Sequence, residues 1–213
     1  NPAETIFLDA KVQPAVALHR LVFQAHREIG EDLIGHQVSE FPFVFGVRGS
    51  KHKIPFPKQT HGDPAKPALL NGYAPYVGVG PLISPYAGPE FSEHQEDASH
   101  GTYYPELLAV PAGRNYIALK DLENYGGRVF RSGGRFWNFL HKLHPDEPSI
   151  TIAAQPGPWV GPFHWSSRRL RVPEIAAIQT FPCGYKFHGN RRSVQKQIGN
   201  AVPCLLGERM VSH

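Results

Sequence analysis

The sequence predicts a mixed α/β protein in three parts: an N-terminal helix and strand over residues 1–58, an irregular region over 59–167, and closing helices over 168–213. Three observations carry that division. Apolar residues recur at helical spacing near the N-terminus, and a short apolar strand follows them. Residues 63–105 are then rich in Pro, Gly, Tyr and His without sustained periodicity. After residue 168, prolines and glycines punctuate the chain at intervals that fit short helices.

The first element is an amphipathic helix expected over 14–34, where Leu18, Leu21, Val22, Ala25, Ile29 and Leu33 fall at three- and four-residue spacing. Phe41 to Val47 reads as a short buried strand. In the third part, Pro173 suits a helical first turn, and Glu174, Ile175 and Ile178 continue the helix until Pro182 forbids more. Arg171 stands where a capping hydroxyl would help, so that helix start is expected to be weak. Ser193 to Ile198 reads as a second helix ended by Gly199 and Asn200, residues that tolerate positive φ. Pro203 opens a last helix carrying Leu205, Leu206, Met210 and Val211.

Composition narrows the function classes. At 213 residues, 41% of them hydrophobic, the chain suits one sizeable domain or two small ones. No apolar run reaches membrane-spanning length, and no secretory signal pattern is present. Two cysteines outside any metal spacing fit a reducing cytoplasm. His94, His100, His141 and His144 lack a convergent ligand set and read as surface histidines, so no metal is expected. The chain opens at Asn1 and its only methionine is Met210, so further residues are expected upstream. Charge is unevenly spread: residues 1–110 hold 8 Lys/Arg against 12 Asp/Glu, whereas 111–213 hold 14 against 6. A basic half interleaved with aromatics and glycines fits a phosphate-contacting surface. A solvated basic face is the alternative.

The block from Arg168 through Leu170, Glu174, Ala176, Gln179, Phe181, Pro182, Tyr185 and Phe187 to Gly189 is followed by Gln197, Gly199, Asn200, Val202 and Pro203. In order and spacing these two blocks resemble the closing motifs of the DNA cytosine-5 methyltransferases. Two long motifs at the right distance are far more specific than either alone. Further matches are the Ile54–Gly62 stretch IPFPKQTHG, the Thr151-Ile152 pair, and the Gly-rich loop from Gln155 to Trp165. Trp159 in that loop is the tryptophan most expected to be exposed.

The resemblance implies a β-rich target-recognition domain at 59–167. It also implies that residues 168–213 are helices completing a Rossmann-like, S-adenosylmethionine-dependent methyltransferase domain. Arg131, Ser132 and Arg135 of the RSGGR segment, with Thr151, Ile152, Gln155 and Arg168, would contact double-stranded DNA. Arginines suit guanine edges and phosphates, and glycines allow close backbone approach; RSGGR also reads as a plain hairpin turn. Gly199, Asn200 and Ala201 would face S-adenosylmethionine, while Arg168 and Glu174 would mainly hold the recognition region against the catalytic domain, with Gln197 a structural residue of the closing motif.

Other family parts are missing. Cytosine-5 methylation, as the resemblance implies, needs a Cys thiolate adding to C6, a Glu at N3 and a flipped base. The F-x-G-x-G, P-C-Q and E-N-V motifs that supply them are absent in proper form. Pro182-Cys183 and Glu123-Asn124-Tyr125 imitate two of them in the wrong places and order. Near the strand, Gln37 and Glu40 match a further motif, but Ser39 and Phe41 replace its arginines. The expectation is therefore one part of a methyltransferase, inactive alone, with a larger subunit carrying the nucleophile, the Glu and most of the cofactor site. Cytoplasmic, nucleoid-associated work in a restriction–modification setting goes with it. A non-catalytic DNA-binding module and a piece of a longer polypeptide are the alternatives.

Overall fold

Two cores of different chemistry organise residues 60–62, 72–130 and 136–212, which are the residues described by the structure, a computed structural model. The helix expected at 14–34, the strand at 41–47 and the RSGGR loop with Arg131, Ser132 and Arg135 lie outside them. In chain order the elements are β1 (His61–Gly62), β2 (Ala74–Pro75), α1 (Val79–Ile83), α2 (Tyr104–Ala109), α3 (Val172–Ile178), α4 (Arg191–Asn200) and α5 (Cys204–Val211). Short 3-10 turns fill Ser84–Tyr86, Pro89–Phe91, His94–Glu96 and Tyr116–Asp121.

Where a β-rich region was expected, the described residues hold only the parallel pair β1 and β2 and three isolated bridges. The bridges join Phe139 to Val160, Lys142 to Phe163, and Phe163 to Arg169. The cause is compositional. Prolines remove ladder donors and instead open helical turns, as at Pro85, Pro89 and Pro105.

The first core is aliphatic. Val79 and Ile83 of α1, Ile175 and Ile178 of α3, and Val194 and Ile198 of α4 meet Leu143, Ile150, Ile152 and Leu170. Each helix places its buried pair three or four residues apart, on one face. Full burial of such a side chain stabilises by roughly 1.5–3 kcal/mol relative to exposure.

The second core is aromatic. Leu107, Val110, Tyr116, Leu119, Leu140 and Phe163 are buried, with Tyr103, Phe130, Phe139 and Trp159 packed against them. Phe139 is the hub: its ring meets those of Tyr103, Tyr116 and Phe130 edge-on at centroid distances of 5.3, 5.5 and 5.2 Å. Trp159 corrects the expectation of an exposed ring. It is half-buried, stacked on Phe163 at 6.3 Å and edge-on to Tyr103 at 5.8 Å. A side chain at Gly101 would strike the Trp159 ring, so glycine is required there. His141 is likewise buried rather than on the surface.

Of the closing helices, α4 runs longer than its sequence pattern. α4 starts at Arg191, where Asn190 Oδ1 accepts from Ser193 N at 2.9 Å as an N-cap. It continues through Gly199 and Asn200, which therefore do not end it; Ala201 is the C-cap. Pro203 precedes α5 as expected.

Candidate DNA interface and cofactor-facing turn

The N-terminus of α3 is held by charges drawn from two distant parts of the chain. Glu174, 1% exposed, accepts from Arg168 Nη1 at 2.8 Å and Nη2 at 2.6 Å, a two-pronged carboxylate–guanidinium contact. Its Oε2 also accepts from Arg171 N at 2.8 Å, the reach-back half of a capping box. Arg171 has no acceptor for the forward half. Glu93 takes that place, its Oε1 accepting from Val172 N at 2.6 Å. The expectation of a weak helix start is thus corrected: a carboxylate from a remote loop caps it.

The Arg171 side chain turns the other way. Its Nε donates to Glu96 Oε2 at 2.5 Å and its Nη1 to the carbonyls of Tyr86 and Gly88 at 2.6 and 2.9 Å. The Arg171 guanidinium, with lesser help from Ser92, holds the Glu96 carboxyl below its usual range. These contacts tie the 84–97 turns to α3.

The turn after α4 is braced from α3. Gln179 Nε2 donates to the carbonyls of Ile198 at 3.0 Å and Ala201 at 3.3 Å. Cys204 N donates to Gln179 O at 3.3 Å, and Leu205 N to Thr180 Oγ1 at 3.0 Å. Gly199 is a necessity of packing, because a Cβ there would lie 2.5 Å from the Ala154 backbone. Gln195 Nε2 donates to Ala153 O at 2.8 Å and seals the same contact. Asn200 stays exposed beside Ala201, and Gln197 donates to His188 O at 2.8 Å. Gln179, a member of the first motif block, and Thr180 beside it escaped the sequence reading as braces. Glu93 and Glu96 carried no motif signal at all.

The predicted DNA-contacting residues divide. Thr151 and Gln155 face solvent, while Ile152 turns into the aliphatic core at 3% exposure. Arg168 is committed to Glu174, as above. Cys183 is exposed after α3, and Glu123-Asn124-Tyr125 forms a bend with Asn124 at φ 59°. Burial raises the thiol pKa of Cys204, which does not favour a thiolate. Among the described residues no group of three or more His, Cys, Asp or Glu is placed to hold a metal, and no helix is long and apolar enough to cross a membrane.

A loop sealed against α4 by Gln195, two short helices and an exposed Asn200 thus carry the two closing sequence blocks. Residues 128–213 match the family described as C-5 cytosine-specific DNA methylase. The chain is 40% identical over 183 residues to the Type II methyltransferase M.SacI of Streptomyces achromogenes, covering 79% of this chain and 45% of the relative. It is 30% identical over 171 residues to the Type II methyltransferase M.NgoFVII of Neisseria gonorrhoeae, covering 78% and 42%. It is 37% identical over 128 residues to the DNA (cytosine-5-)-methyltransferase M.ApeKI of Aeropyrum pernix, covering 59% and 27%. The chain thus spans less than half the length of these curated relatives.

Proposed function

We propose that this chain supplies the DNA-recognition region and closing helices of a DNA cytosine-5 methyltransferase. The nucleophile Cys, the N3-binding Glu and most of the cofactor site come from polypeptide outside these residues, in our reading a larger partner subunit. The observation that carries this is the family match over 128–213, which includes the turn at Asn200 and Ala201 braced by Gln179. The turn suits a cofactor wall: its backbone is pinned by Gln179, and the Asn200 side chain is open to solvent. S-adenosylmethionine, when bound, supplies the methyl group.

This chain's own residues bind and orient. Thr151 and Gln155, with Arg131, Ser132 and Arg135, read DNA. Ile152 anchors that loop in the core, and Arg168 with Glu174 fixes the loop against α3. Gln197, of the second motif block, holds the end of the first block through the His188 carbonyl. A non-catalytic DNA-binding module is the second reading, favoured by Ser39 and Phe41 in place of motif arginines. A pinned, solvent-facing Asn turn speaks against it.

Asn200→Ala tests the reading. Loss of one hydrogen-bonding group should weaken cofactor binding by the assembled enzyme about tenfold, with DNA binding by this chain nearly unchanged. An equal fall in both would show that the turn has been misassigned.

A further inference from the structure

Four arginines gather where α3 and α4 begin, and three carboxylates answer them. Glu174 pairs with Arg168 at 2.6 Å, Glu96 with Arg171 at 2.5 Å, and Glu93 faces Arg191 at 3.3 Å. Arg169 meets no carboxylate among the described residues. Its Nη2 donates to Pro158 O at 2.8 Å, which leaves most of its donors uncommitted to any anion.

Arg169, Arg191 and Gln195 line one open cleft between α4 and the loop at 156–162, floored by Ile152, Leu170 and Ile175. Burial, and then the neighbouring Arg191 charge, lowers the proton affinity of the Arg169 guanidinium. Like charges brought together at a half-buried site with one carboxylate too few are relieved by an incoming anion. The cleft adjoins Gln155, which faces solvent on the loop assigned to DNA.

We propose that this cleft is a phosphodiester subsite, in which Arg169 contacts one backbone phosphate of DNA beside the loop at 155–162. The inference rests on the DNA-reading function proposed above. A phosphate contact carries no base information, so Arg169 serves affinity and register rather than choice of sequence.

The test is salt-dependent binding of a mixed-sequence DNA duplex by the full chain, for wild type, Arg169→Gln and Arg169→Lys. Loss of one phosphate contact should lower affinity about five- to tenfold near 0.1 M salt and reduce the log–log salt slope by about 0.9. Arg169→Lys keeps the charge and should keep the slope. If Arg169 only anchors Pro158, Lys and Gln will lower thermal stability alike and leave the slope unchanged, which overturns the subsite while the DNA reading stands. Wild-type chain that shows no salt-dependent DNA binding overturns both.

Discussion

The aliphatic and aromatic cores solve the same problem with different chain. The aliphatic core is built by α1, α3 and α4: side chains cap the starts of α3 (Glu93 and Glu174) and α4 (Asn190), while the first amides of α1 donate to the carbonyls of Glu147 and Pro145. The aromatic core gathers irregular chain around Phe139, with edge-on rings and single bridges where a sheet would have ladders. The lesson is that helices import their polar accounting from caps. Irregular chain closes its own, through backbone bonds between distant segments such as Lys142 N to Arg114 O at 2.9 Å and Leu143 N to Phe163 O at 2.8 Å.

The largest expected effect compares one buried carboxylate from each side. Glu174→Ala strips Arg168 of its partner and α3 of a cap, and should cost about 3–5 kcal/mol in urea unfolding. Glu106 in α2 is also buried, but Arg128, itself half in solvent, stands 3.6 Å away and its Oε2 has no hydrogen-bond partner. Glu106→Gln should therefore cost less than about 1 kcal/mol. Equal costs would break the contrast.

Next comes Ile198→Ala, which empties a fully buried aliphatic site and should cost about 3 kcal/mol. The two cores share the 139–143 and 160–163 segments, so they should melt together. Tryptophan fluorescence, which senses Trp159 in the aromatic core, and far-UV circular dichroism, which senses the helices, should shift to the same lower midpoint. Separate midpoints would mean two independent units.

Acid should act through His164, which is buried with its ring tilted against that of Trp165 at a centroid distance of 3.9 Å. Burial, with Arg168 and Arg171 nearby, lowers its pKa to about 3. The unfolded chain therefore binds a proton that the native state refuses between the ordinary histidine value of 6.5 and about 3, and stability falls as pH falls through that window. The loss approaches about 1.4 kcal/mol per pH unit, or about 2 kcal/mol by pH 5. His61 contributes in the same direction. His164→Gln should flatten the profile from pH 6.5 to 5 in equilibrium unfolding; an unchanged slope would refute this. At the alkaline end, burial lowers the Lys142 pKa to about 8, so stability should rise as pH climbs from about 8 towards the ordinary lysine value of 10.5.

The smallest effect is Asn190→Ala, which removes the α4 cap and should cost about 1 kcal/mol by thermal unfolding. A neutral result would transfer the stability of that end to Arg191, whose Nη2 reaches Leu170 O at 2.5 Å.

Legibility followed the same division. The three closing helices were readable because Pro173, Pro182 and Pro203 bracket them and local rules act within a few residues. The true cap of α3 was not readable, because Glu93 lies 79 residues before the amide it serves, in a stretch with no periodicity. The burial of His141 and the stacking of Trp159 were hidden for the same reason: both depend on which irregular segments meet, and no local pattern encodes that. Ile152 was assigned to DNA from its motif position, although its alternation with exposed Thr151 already fitted a residue facing the core.

The central claim is that this chain serves methyl transfer without holding the nucleophile. The most direct test is transfer of labelled methyl to DNA by material purified under native conditions from its own cells, comparing wild type with Cys183→Ser and Cys204→Ser. The account predicts that the full chain alone is inactive and that the assembled enzyme keeps wild-type activity in both variants. Activity of the chain alone, or its abolition by either substitution, would contradict it.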